Sequence, residues 1–297
     1  MYKNLNPEAL GIAARDSELI ELVLSHGFKG LDLDLVALAE QARTQGLDKA
    51  SRLIASARLK IGSFRLPVRW HDDSPDYQAD LERLPALAEM AASLGCTRTT
   101  TAIESGSDAR PYHENFEFHR RRLAEIAAVL AAHKIRLGID FVAPVHYRAD
   151  RRFQFMQTFD EVLLLLRSTD STNVGLALDT WHWHLGGGKI EQLRTLSADR
   201  IVTVTLADAP ADENSQTARF ESRRLGIEGG AIDLPAVLTA LAELRYDGPV
   251  TPAPDKSQFG GISRDKLVKA VAASLDQIWK AAGLSPAGKL LAAPSRG

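Results

Sequence analysis

Strand-sized apolar runs alternate with helix-period stripes along the whole of this chain, and few folds accommodate that rhythm. Leu10 to Ala14, Phe28 to Leu35, Leu59 to Leu66, Thr97 to Ile103, Ile135 to Val142, Val174 to Leu178, Ile201 to Leu206 and Gly248 to Thr251 read as strands. Most are apolar rather than alternating, as strands are when both faces of their sheet are covered. Helical stretches separate them. These run from Ser17 to His26, over a region reaching Ala57, and over Asp76 to Leu94, Phe116 to His133, Phe155 to Arg167, Ile190 to Leu196, Leu234 to Leu244 (capped by Asp233) and Arg264 to Ala282. In the third of these, Leu81, Leu84, Leu87, Met90, Ala91 and Leu94 repeat at three and four residues, with Gly95 past the end.

Eight such pairs predict an α/β protein with one closed parallel (β/α)8 TIM barrel over residues 1–284. An open doubly wound sheet is the competing architecture, but it usually carries a glycine-rich phosphate turn after an early strand, and none is present. Residues 285–297, rich in Ala, Pro and Gly, are expected to form a flexible tail. The longest irregular stretch, Asp208 to Gly230, falls between the seventh strand and its helix. Loops of that length are more often functional than idle.

The net formal charge of −2 over 297 residues gives no electrostatic footprint for nucleic acid or an anionic membrane. Met1 to Pro7 has no signal-peptide core, and no apolar run approaches spanning length. The single cysteine, Cys96, excludes an intramolecular disulfide and opens a strand, where a buried, inert thiol is expected. The expectation is a cytoplasmic protein whose partner is a small molecule. No interface signature decides whether it forms a homo-oligomer.

The densest chemistry lies in Asn173 to Gly188, where a buried strand delivers Asp179, Trp181, His182 and His184 before dissolving into glycine. In a barrel the site forms at the C-terminal ends of the strands. The other ends supply Asp32 and Asp34, Arg65, Arg69, Trp70 and His71, Glu104, Asp140 with His146 and Arg148, and Thr205 with Asp208. The eighth ends in Pro252-Ala253-Pro254. Carboxylates that accept from hydroxyls, with aromatic faces over C–H surfaces, suit a neutral polyol or sugar. Arg65, Trp70, Glu104, His146, Trp181 and His184 are therefore candidate substrate contacts. Asp32 and Asp34 read equally well as structural strand-end charges. Gly186-Gly187-Gly188-Lys189 lacks P-loop spacing and is expected to be a plain loop. Trp279 is expected to pack.

Leu137-Gly138-Ile139-Asp140-Phe141-Val142, Gly175 to His182, Thr205-Leu206-Ala207-Asp208-Ala209, Arg224 to Asp233 and Tyr246-Asp247-Gly248-Pro249-Val250 follow one another in order. That series resembles the xylose-isomerase-like TIM-barrel family of sugar phosphate isomerases and epimerases. The resemblance implies one divalent metal, Mg²⁺ or Mn²⁺, held by a Glu after the fifth strand, an Asp after the sixth, a His in the seventh and a Glu after the eighth. Here the fifth-strand position is Asp140 and the sixth is Asp179; the seventh is Thr205 and the eighth Ala253, neither of which matches. Metal ligands implied by the resemblance are thus Asp140 and Asp179 alone. Its substrate-facing His and Arg fall on His182 and Arg224, which with Asp140 form the implied catalytic set. The expected function is a sugar or keto-sugar isomerase, epimerase or lyase whose metal dependence is weakened or absent. Two alternatives stay open: an intact metal-dependent ketose epimerase, isomerase or dehydratase, and a non-catalytic sugar-binding or regulatory barrel.

Overall fold

The first barrel strand is Tyr2–Leu5 (β1), ahead of the apolar run at Leu10 expected to form it. Leu10 and Ile12 are buried all the same, packed into the core from the loop that follows. Asn4 is fully buried in mid-strand, its Nδ2 donating to Asp32 Oδ1 and Thr251 Oγ1, both at 2.9 Å. A polar residue that finds its partners inside the barrel leaves no apolar run to read.

The computed structural model describes residues 1–71, 73–226 and 230–291. The remaining barrel strands are Gly30–Leu33 (β2), Lys60–Arg65 (β3), Arg98–Ile103 (β4), Arg136–Phe141 (β5), Val174–Asp179 (β6), Ile201–Leu206 (β7) and Pro249–Pro252 (β8). Each pairs in parallel with the next, and β1 lies between β8 and β2 and closes the ring. All eight C-terminal ends therefore open on one mouth, as the sequence rhythm predicts.

Helices cover the outside: Asp16–Ser25 (α1), Leu35–Gln45 (α2), Leu47–Ala57 (α3), Tyr77–Ser93 (α4), Tyr112–Ala131 (α5), Phe159–Ser168 (α6), Thr180–Leu185 (α7), Ile190–Arg194 (α8), Leu234–Glu243 (α9) and Arg264–Ala281 (α10). Gly46, at φ +82°, splits the single helical region expected before Ala57 into α2 and α3. Asp34 and Asp233 cap α2 and α9 through Ala37 N and Ala236 N, each at 2.9 Å. Thr158 and Glu161 form a reciprocal capping box on α6. Cys96 is buried and its thiol is pushed up to about 12, chiefly by burial, which makes it unreactive near neutrality.

Trp279 Nε1 donates to Ser285 O at 2.9 Å, and Leu291 N returns to Gly283 O at 2.9 Å. Ala292 to Gly297 lie outside the described residues, as do Ile227 to Gly229 within the Arg224 to Asp233 motif. Among the described residues no helix is long and apolar enough to cross a membrane.

Candidate active site

Asp140 lies one residue before the end of β5, and Asp179 ends the neighbouring strand β6. Asp179 is also the N-cap of α7: its Oδ1 accepts from Trp181 N at 3.0 Å and His182 N at 3.2 Å. The chain thus turns at once into a short helix ahead of the glycines, and that first turn sets His182 over the strand ends. Ala143 N, just beyond β5, donates to His182 Nδ1 at 3.3 Å. One ligand-type atom from each of Asp140, Asp179 and His182 falls within 4.8 Å of the others; Asp179 and His182 are buried and Asp140 is partly exposed.

A fourth residue, Arg223, completes the cluster. Its Nη2 donates to Asp179 Oδ2 at 2.6 Å and its Nε to Ala253 O at 3.3 Å. Both charged side chains are 6% exposed, so this is an internal ion pair. The guanidinium carbon lies 5.3 Å from the Trp181 ring centre and 5.2 Å from that of Phe220. The Arg223 carbonyl accepts from Asp255 N at 2.8 Å and from Gln258 Nε2, which ties the loop carrying it to the end of β8.

Arg224, the residue implied by resemblance, goes elsewhere. Its backbone pairs with Asp208 in both directions, and its Nη2 donates to Ala209 O at 3.0 Å. Successive side chains of an extended segment point to opposite sides, so an inward Arg223 places Arg224 on the other face. Two adjacent arginines in a polar loop were the available signal. Only the register of the Asp208 bridge decides between them.

The charges sort the four groups. Burial alone would push the Asp179 carboxyl up, but Arg223 and then His182 outweigh it and hold it below the ordinary carboxylate range. Burial, and then the Asp179 charge, push Asp140 well above that range. Burial pulls His182 down to about 4, so the ring is neutral near pH 7. With Nδ1 accepting from Ala143, the neutral ring carries its proton on Nε2.

Of the other candidates, Trp181 is fully buried, with Nε1 donating to Glu213 Oε2 at 2.9 Å, so it underlies the cluster rather than facing a ligand. Trp70 is also fully buried; it donates to Thr101 Oγ1 at 2.9 Å and stacks on His71. Glu104 is exposed and pairs with Arg151 at 3.4 Å, and Arg65 is exposed and pairs with Glu8 at 3.7 Å. His146 Nδ1 meets Arg219 Nη1 at 3.2 Å. His184 is half-buried in a separate cleft of about 290 Å³ that also takes in Trp183, Lys189 and Asp233, and none of Asp140, Asp179 or His182. Asp208 Oδ1 accepts from Ala209 N at 2.8 Å and Ile232 N at 3.0 Å, and so holds the loop together. The glycine loop is there for packing: a Cβ on Gly188 would come within 2.1 Å of Trp183.

Asp140, Asp179 and His182 are close enough together to hold one metal ion. With Arg223 in place they do not suit a divalent one. Both Asp179 oxygens already accept hydrogen bonds, one of them from a cation. Thr205, paired in register with Asp179, and Ala253, at the end of β8, add neither imidazole nor carboxylate.

The chain is 19% identical over 253 residues to an inosose isomerase of Bacillus velezensis, covering 84% of this chain and 87% of that protein. Its backbone matches a xylose isomerase domain protein from Alicyclobacillus acidocaldarius subsp. acidocaldarius at 23% identity, with TM-score 0.85, covering 95% of this chain and 99% of that one. The IOLI protein with a binding zinc atom matches at 18% identity, with TM-score 0.78, covering 95% and 98%. At these identities the structural likeness establishes the fold alone. Residues 20–278 match the family described as the xylose isomerase-like TIM barrel, and the chain belongs to that family.

Proposed function

We propose that this barrel moves a proton next to the carbonyl of a sugar or keto-sugar, in an isomerisation, epimerisation or related elimination with little or no reliance on a divalent metal. The observation that carries the reading is the junction of Asp140, Asp179, His182 and Arg223 at the C-terminal mouth. The inosose isomerase relative supports an isomerase acting on a compound of that class.

The roles follow from the environments. Asp140 is the one partly exposed member, and its raised carboxyl suits a group that takes up and returns a proton. As a carboxylate it accepts the proton from the carbon beside the carbonyl; the C–H electrons form the new C=C bond, the carbonyl π electrons move onto oxygen, and an enediolate forms. Neutral His182, with its proton on Nε2, donates a hydrogen bond to that oxygen. Asp140 then returns the proton to the former carbonyl carbon while the hydroxyl proton on the adjacent carbon passes to the former carbonyl oxygen, which gives the isomer. Asp179 stays ionised and anchors Arg223 and the α7 turn rather than exchanging protons.

Incubating the protein with a panel of keto-sugars and keto-polyols in D₂O, with and without a chelator, tests this directly. Deuterium should enter at the carbon beside the carbonyl of at least one compound, and chelator should leave the rate nearly unchanged. Asp140→Asn should slow exchange by about 10²–10⁴-fold. A compound that raises the melting temperature but never exchanges would replace the enzyme with a sugar-binding barrel.

A further inference from the structure

We propose that the Arg223 guanidinium is a built-in cation that takes the place of a divalent ion at the Asp140, Asp179 and His182 cluster. It bridges the ends of β6 and β8, one bond to the Asp179 carboxylate at 2.6 Å and one to the Ala253 carbonyl at 3.3 Å. Those are the positions from which oxygen ligands would reach a hard metal ion. A cation held on Asp179 Oδ2 repels a second positive centre shared by the same carboxylate, and repulsion at such range is strong where water is excluded.

Three further observations show that the guanidinium is seated rather than incidental. The Trp181 and Phe220 rings, packed against each other at 5.6 Å, lie 5.3 Å and 5.2 Å from its carbon and offer an aromatic wall suited to a flat, weakly hydrated cation. Asp255 N and Gln258 Nε2 fix its backbone carbonyl. Trp181, the ring beneath it, is itself held by Glu213 at 2.9 Å. The charge also balances. One guanidinium neutralises the Asp179 carboxylate with which it is paired inside the protein. A guanidinium carries five N–H donors, so the bonds to Asp179 and Ala253 leave donors for a substrate oxygen. That last role alone rests on the proton-transfer reading.

Metal binding tests the inference without recourse to turnover. The full-length protein, stripped with chelator, is titrated calorimetrically with Zn²⁺ and with Mn²⁺, and its metal content is measured after dialysis. Native protein should show no stoichiometric site that Asp140→Asn or His182→Ala removes. Arg223→Gln should gain a Zn²⁺ site at least tenfold tighter than any in the native protein, and adding Asp140→Asn should abolish it. Arg223→Lys, which keeps a positive charge, should gain none. Stoichiometric Zn²⁺ or Mn²⁺ on native protein, lost in Asp140→Asn, would overturn the proposal. So would a folded Arg223→Gln variant that gains no site. If that variant fails to fold, the native, Asp140→Asn and Arg223→Lys titrations still decide. If metal is excluded as expected but no compound exchanges deuterium, the built-in cation stands and the proton-transfer reading falls.

Discussion

Asp179 carries three obligations at once: cap of α7, partner of Arg223 and neighbour of Asp140. Removing its charge leaves a guanidinium buried without a counterion, which typically costs about 3–5 kcal/mol. Asp179→Asn should therefore lower the unfolding midpoint in urea by a corresponding amount. Pairing Asp179→Leu with Arg223→Met should recover most of the loss, because apolar groups can replace a buried ion pair at little cost. Equal destabilisation in the double variant would mean the loss comes from the cap rather than the pair. A second expectation concerns rate. Asp140 must be ionised to accept a proton and its carboxyl is raised, so exchange should increase with pH through a value above the ordinary carboxylate range. His182, already neutral above about 4, should add no step there. At this scale the sequence could bring Asp140, Asp179 and His182 to neighbouring strand ends, where the structure clusters them, because strand ends are readable. It did not single out Arg223, because a loop has no periodicity to say which of two arginines turns inward.

Among the elements, α4 is tied to the segment after β3 through Arg69, which pairs with Asp76 at the helix N-cap and with Asp80 one turn in. Asp80 Oδ2 accepts from Arg69 N at 3.0 Å and Nε at 2.8 Å, and its Oδ1 accepts from Nη2 at 2.9 Å. The Arg69 side-chain bond, ahead of the opposing effect of burial, holds the Asp80 carboxyl below its ordinary range. A depressed carboxylate stabilises the fold above its unfolded value of 3.8 and loses that contribution as pH falls through the folded value. Asp80→Ala should cost about 1–3 kcal/mol at pH 7, since it removes the acceptor of the Arg69 backbone N–H and two of its charge-assisted bonds. The gap from native protein should narrow in unfolding curves taken below pH 3.8. Helices and strands with clean stripes or apolar runs were readable to within a few residues. The α7 turn was not: Thr-Trp-His-Trp-His-Leu shows no apolar stripe, and the glycines after it read as loop. The Asp179 cap was the physical signal for it.

For the whole molecule the decisive step is closure, and closure depends on the strand that the sequence concealed. β1 joins β8 to β2, and Asn4 is the clasp between them through Thr251 and Asp32. The alternation of apolar runs implied a ring of eight strands, but a buried asparagine within a four-residue strand gives no apolar signal. Asp32 is the acid partner of this clasp. Burial raises it to about 6, against opposing bonds from Asn4 and Ser63. A raised carboxyl favours the fold below its unfolded value of 3.8, and that contribution disappears as pH rises through about 6. The Asn4 bond prefers the ionised form, so its worth grows over the same interval. Asn4→Leu should therefore destabilise the barrel by about 1–3 kcal/mol at neutral pH, by stranding Asp32 and Thr251. It should cost less at pH 4, where Asp32 is protonated. Denaturant melts of native and Asn4→Leu protein at pH 4 and pH 8 check the sign. A loss independent of pH would mean that Asn4 closes the barrel through Thr251 alone.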